Sequence, residues 1–159
     1  MRSYQVFAQM TPERAAQVMA VLVEKSPAVY TQAVAATSAA MNARPKFLMR
    51  QAADKRANMV RRTLARVRAN DLAEEILAAY FLEGRKELLI EWLDLVGLNH
   101  DEGILENENP APPPGPQLQK AIESFLAGDG TEDRDLLLRA FAAQSAIDWP
   151  DLAATFEVS

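Results

Sequence analysis

Apolar residues recur at steps of three and four along most of this 159-residue chain, the period of helices with one buried face. A lead-in over Met1–Met10 reads as irregular, with an extended piece at Tyr4–Ala8. Thr11-Pro12-Glu13 then carries three helix-start signals: a capping hydroxyl, a proline at the first helical position and an acid at the positive dipole end. Ala15, Val18, Met19, Leu22 and Val23 follow on one face. Ser26-Pro27 repeats the cap-and-proline signal and opens a helix through about Met41. Its small residues Val29, Ala33, Ala36 and Ala40 would allow close approach of another helix, or a cavity between helices.

Arg44-Pro45 marks the next boundary. From Lys46 to Arg68 there is no glycine or proline, and Met49, Ala53, Ala57, Val60, Leu64 and Val67 form one seam. The spacing predicts a single amphipathic helix about 34 Å long at about 1.5 Å per residue. Asn70 is placed to cap the following helix, whose face is Leu72, Ile76, Ala79 and Tyr80, with Gly84 as terminator. Arg85–Val96 is nearly saturated with apolar residues around Trp92 and ends at Gly97, a residue suited to a left-handed C-cap. A short helical turn is expected over Asp101–Leu105, and Asp148 reads as the cap of a last helix.

Residues 107–116 contain five prolines and little apolar content, the composition of a stiff extended connection. Across this segment, residues 76–105 and 121–156 resemble each other, with Phe81 and Phe125 set 44 positions apart, as in helical-repeat arrays. The expected fold is therefore all-α: a compact helical bundle or a short HEAT-like array of about six to eight helices. The expected organisation is a main helical domain over 1–106, a proline-rich linker over 107–116 and a C-terminal helical hairpin over 117–159. Trp92, Leu89, Leu93, Tyr80, Phe81, Leu64 and Val60 should anchor one core, and Phe125, Leu137, Phe141 and Trp149 another.

Charge adds the strongest functional clue. Nine of the seventeen Lys and Arg residues fall within 44–68, where Asp54 is the only acid, for a local net charge of +8 in a chain of net charge −5. Arg50, Lys55, Arg61, Arg62, Arg66 and Arg68 are expected to form one basic strip. Glu87, Glu91 and Asp94 share a face of the Trp92 helix and form the acidic counterpart. Such carboxylates can also work as an acid–base pair or as oxygen ligands for a hard cation. No phosphate loop, dinucleotide fingerprint or His-Glu-x-x-His occurs, and His100 is the only histidine. The absence of cysteine excludes disulfides, thiolate nucleophiles and thiolate metal sites.

These features lead to the expectation of a non-catalytic protein-interaction or scaffolding module, using a basic helix face and an acidic C-terminal half. No catalytic residue, metal ligand or cofactor is assigned. A protein partner or self-association is expected, in the cytoplasm and with no transmembrane segment. One alternative is a nucleic-acid-binding accessory protein touching phosphates through 44–68, with mostly sequence-independent and salt-sensitive affinity. Another is an enzyme or small-ligand-binding protein with an interhelical pocket.

Overall fold

The computed structural model describes residues 1–157; residues 158–159, the end of the segment expected as a C-terminal hairpin, lie outside the described residues. The fold is all-α. Helix accounts for 71% of the chain, in ten helices among the described residues, above the expected six to eight. None of these is long and apolar enough to cross a membrane. The chain divides into two packed units, residues 2–84 and the residues from 85 onward together with Met1.

The first unit contains α1 (Ser3–Gln9), α2 (Pro12–Lys25), α3 (Pro27–Ala40), α4 (Pro45–Met49), α5 (Ala53–Val67) and α6 (Asn70–Ala79), followed by a π-helical turn at Tyr80–Gly84. Proline supplies the start of α2, α3 and α4, where its fixed φ suits the helix and its missing N–H is not needed. At α2 the cap is complete: the Thr11 hydroxyl accepts from the Arg14 N–H at 3.1 Å. Helix α5 is the centre of the unit and packs against α1, α2, α3 and α6. The middle of the predicted seam, Ala57, Val60 and Leu64, is buried there.

Three local expectations in this unit are corrected. The extended piece at Tyr4–Ala8 is instead helix α1, which buries Val6 and Phe7 on successive positions. Asn70 does not cap its own helix; its Oδ1 accepts from the Tyr4 N–H at 3.4 Å, near the start of α1. The single helix over Lys46–Arg68 is broken at Arg50–Ala52. The break lets Leu48 be fully buried and leaves Met49 exposed, the reverse of the predicted seam. Arg56 holds the break: its Nη1 donates to the carbonyls of Gln51 at 2.8 Å and Met49 at 3.3 Å, while its Nε donates to the Tyr30 hydroxyl. Carbonyls that a continuous helix would satisfy internally are thus satisfied by a side chain.

The second unit contains α7 (Lys86–Leu95), a two-stranded antiparallel hairpin of β1 (His100–Asp101) and β2 (Ile104–Leu105), and α8 (Gly115–Leu126), α9 (Thr131–Ala143) and α10 (Pro150–Phe156). Helix α7 ends as predicted at Gly97, with φ of +72° and the Leu98 N–H on the Leu93 carbonyl at 3.0 Å. The hairpin replaces the expected helical turn. Glu102 and Gly103 both take positive φ, the backbone of a tight two-residue hairpin turn, and the Gly103 N–H donates to His100 Nδ1 at 3.1 Å. Asp148 is corrected as well: α10 starts from Trp149 with no side-chain cap.

A chain of tilted and edge-to-face aromatic contacts runs through this core, Trp92–Phe125 at 5.5 Å, Trp92–Phe141 at 5.9 Å and Phe141–Trp149 at 5.2 Å. It places Trp92 with the residues expected to anchor a separate C-terminal core. The unit boundary therefore falls between Gly84 and Arg85 rather than at the proline segment. That segment belongs inside the second unit: Pro110 is buried and its carbonyl accepts from Trp149 Nε1 at 2.8 Å. The two halves of the first repeat copy, α6 and α7, belong to different units, whereas α8 and α9 pack together in one.

Candidate functional site

An open groove of about 920 Å³ lies along α5. Ala8 of α1 and Met41 at the end of α3 contribute to its wall; α5 supplies the rest. Lys55, Met59, Arg62 and Arg66 follow one another at steps of four, three and four, so they line one face of the helix. Arg61 stands beside that row. Its Nε and Nη2 donate to Asn58 Oδ1 at 3.0 and 2.8 Å, which holds the guanidinium along the helix surface.

No Asp or Glu lines the groove. Among the described residues, none of Lys55, Arg61, Arg62 and Arg66 forms an ion pair. Asp54, the only acid in the basic stretch, turns its carboxylate to the helix start, accepting from the Lys55 N–H at 2.8 Å. Arg62 and Arg66 are a like-charged i,i+4 pair, which disfavours an isolated helix by about 0.2–0.5 kcal/mol. The groove thus concentrates positive potential that the unit does not neutralise, and an anionic ligand would relieve that repulsion.

The predicted basic strip is brought together only in part. Lys55, Arg61, Arg62 and Arg66 share the groove, whereas Arg50 caps α4 and Arg68 sits at the left-handed end of α5, both exposed and outside the lining. The break before α5 shortens the continuous strip from about 34 Å to about 22 Å. Arg56 is half-buried and committed to Tyr30 and to the carbonyls of Met49 and Gln51.

Two of the three acids of the stripe have close partners within their own unit. Both carboxylate oxygens of Glu91 accept from the Arg134 guanidinium, Asp94 Oδ1 lies 2.7 Å from His100 Nε2, and Glu87 Oε1 is 3.5 Å from Arg85 Nε. With Gly103 donating to Nδ1, the His100 tautomer that fits both contacts carries its proton on Nε2, toward Asp94. Glu91 and Asp94 are therefore paired within the unit, whereas Glu87 stays 66% exposed and Arg85 Nε lies closer to Asp133, at 3.0 Å.

Four residues, three at the groove and one in the core of the second unit, were not singled out by the sequence pattern. Met41, Met59 and Asn58 complete the groove, and only Asn58, three positions before Arg61, carried a readable pairing signal. The fourth is Arg134, a buried cation whose partners at 91, 125 and 129 are distant in sequence or backbone atoms. Comparison of the chain with protein-family models, with curated proteins and with solved structures returned no match.

Proposed function

We propose that this chain is a non-catalytic protein-interaction module whose basic groove on α5 receives an acidic, partly apolar segment of a partner protein. The supporting observation is the composition of the groove: four cations with no ion-pair partner among the described residues, interleaved with Met41 and Met59. Cations select an acidic partner and set its register, while methionine offers an adaptable apolar contact that accepts a range of side-chain shapes. Phosphate binding would use the same cations, but the lining holds no aromatic ring on which bases could stack.

Calorimetric titration of the full chain with a synthetic amphipathic peptide of glutamate and leucine tests this reading. Binding should weaken as salt rises. Charge reversal at Arg62 and Arg66 together should cost about 2 kcal/mol, roughly thirty-fold in Kd, from two lost pairs and two new repulsions. A single-stranded oligonucleotide of equal charge binding more tightly than the peptide would transfer the groove to nucleic acid. No binding of either would overturn the reading.

A further inference from the structure

The hairpin of the second unit has the chemistry that the groove asks for. Its register pairs His100 with Leu105 and Asp101 with Ile104. Cross-strand partners share a face, so the half-buried His100 and Leu105 lie on one side and the exposed Asp101 and Ile104 on the other. Ile104 is 64% exposed, the most exposed large apolar side chain among those of the described residues. In the same segment Asp101, Glu102, Glu106 and Glu108 are all exposed, and residues 99–109 contain no Lys or Arg. The segment thus presents an exposed apolar knob, Ile104, with Asp101 beside it on the same face and Glu106 and Glu108 following in sequence, opposite in sign to the cations of the groove.

We infer that the partner is a second copy of this chain, with the 100–105 hairpin of one copy and the residues 106–108 that follow it seated in the α5 groove of another. This rests on the groove being an acidic-protein site, as proposed above. Ile104 would lie against Met41 and Met59, and Asp101, Glu106 and Glu108 would face Lys55, Arg62 and Arg66. Glu102 contributes less, because its carboxylate already lies 3.3 Å from Lys86 Nζ. The tight turn fixes the knob without a large ordering cost on binding, since both of its residues are already held in the required backbone conformation. Knob and groove are different patches, so the contact is heterologous. Two copies can exchange it reciprocally, or successive copies can extend it.

Sedimentation velocity of the full chain over a concentration series provides the test, with far-UV circular dichroism confirming that each variant is folded. The wild-type mass should rise with concentration above that of a monomer. The Arg62→Glu/Arg66→Glu variant loses the groove, and Ile104→Glu loses the knob; each alone should associate about tenfold or more weakly. Mixing the two should restore a complex of one copy of each, because one supplies a working knob and the other a working groove. Adding Asp101→Lys and Glu106→Lys to the Arg62→Glu/Arg66→Glu chain should restore self-association. A wild-type chain that remains monomeric, or variants that associate like wild type, would overturn the inference. If the monomeric wild type still binds the glutamate–leucine peptide through Arg62 and Arg66, only the identity of the partner is wrong. If it binds neither, the groove reading falls too.

Discussion

Replacing Arg134 with methionine removes the contact that ties α7, α8 and α9 together. The side chain is buried at 8% exposure, yet it carries a charge. Its Nε donates to the Asp129 carbonyl at 2.7 Å and its Nη1 to the Phe125 carbonyl at 3.0 Å, while the guanidinium lies 4.8 Å above the Phe125 ring and meets the Glu91 carboxylate. Methionine keeps much of the apolar stem but removes the charged donor from the Phe125 carbonyl, which retains only the Gly128 N–H at 3.2 Å; a hydrogen bond from a charged group is worth about 1.5–3 kcal/mol. The bond to Asp129 and the ring contact add to this. Glu91 is about half exposed and regains water, so its share is discounted. The expected loss is about 2–4 kcal/mol. With a urea m-value of about 2 kcal/mol/M, the midpoint should fall by about 1–2 M. Arg62→Met, at an exposed position, should stay within about 0.5 kcal/mol of wild type. The geometry supplies a second arm. A Cβ on Gly128 would stand 2.4 Å from Arg134 Cζ, so Gly128→Ala should destabilise by about 1–3 kcal/mol in the wild type and far less on the Arg134→Met background. An Arg134→Met midpoint equal to wild type, or strictly additive effects of the two substitutions, would refute the reasoning.

In the first unit, Gly84→Ala would set a Cβ 2.4 Å from Val21 Cγ1, and urea melts should show a loss of about 1–3 kcal/mol that Val21→Ala partly relieves. Tyr30→Phe removes the hydroxyl that accepts from Arg56, with an expected loss of about 1–2 kcal/mol and faster amide hydrogen exchange over residues 51–54. Thr11→Ala removes the α2 cap and should lower stability by about 1 kcal/mol in the same melts.

Helix starts marked by proline were legible in the sequence, because proline acts through its own ring and needs no distant partner. The Gly97 cap was legible for a similar local reason. The break before α5 was not. Nothing between Lys46 and Arg68 disfavours helix, and what decides is tertiary: the burial of Leu48 and the reach of Arg56 to Tyr30. The hairpin at Glu102-Gly103 escaped because two-residue strands are too short to display alternation. Arginines within 44–68 look alike in sequence, yet the structure sorts them into Arg56, an internal staple, and Arg61, Arg62 and Arg66, a groove lining. The acidic stripe of Glu87, Glu91 and Asp94 was visible as a pattern, but Glu91 and Asp94 are partnered by Arg134 and His100, which no spacing rule connects to them.

The α5 groove is proposed as the place where an acidic protein segment binds. Backbone amide chemical-shift mapping of the full chain, titrated with the glutamate–leucine peptide, tests it most directly. Shifts should concentrate over residues 55–66 and around Met41, be reversed by salt and be abolished by charge reversal at Arg62 and Arg66. Shifts centred elsewhere in the chain, or an unperturbed spectrum at saturating peptide, would contradict it.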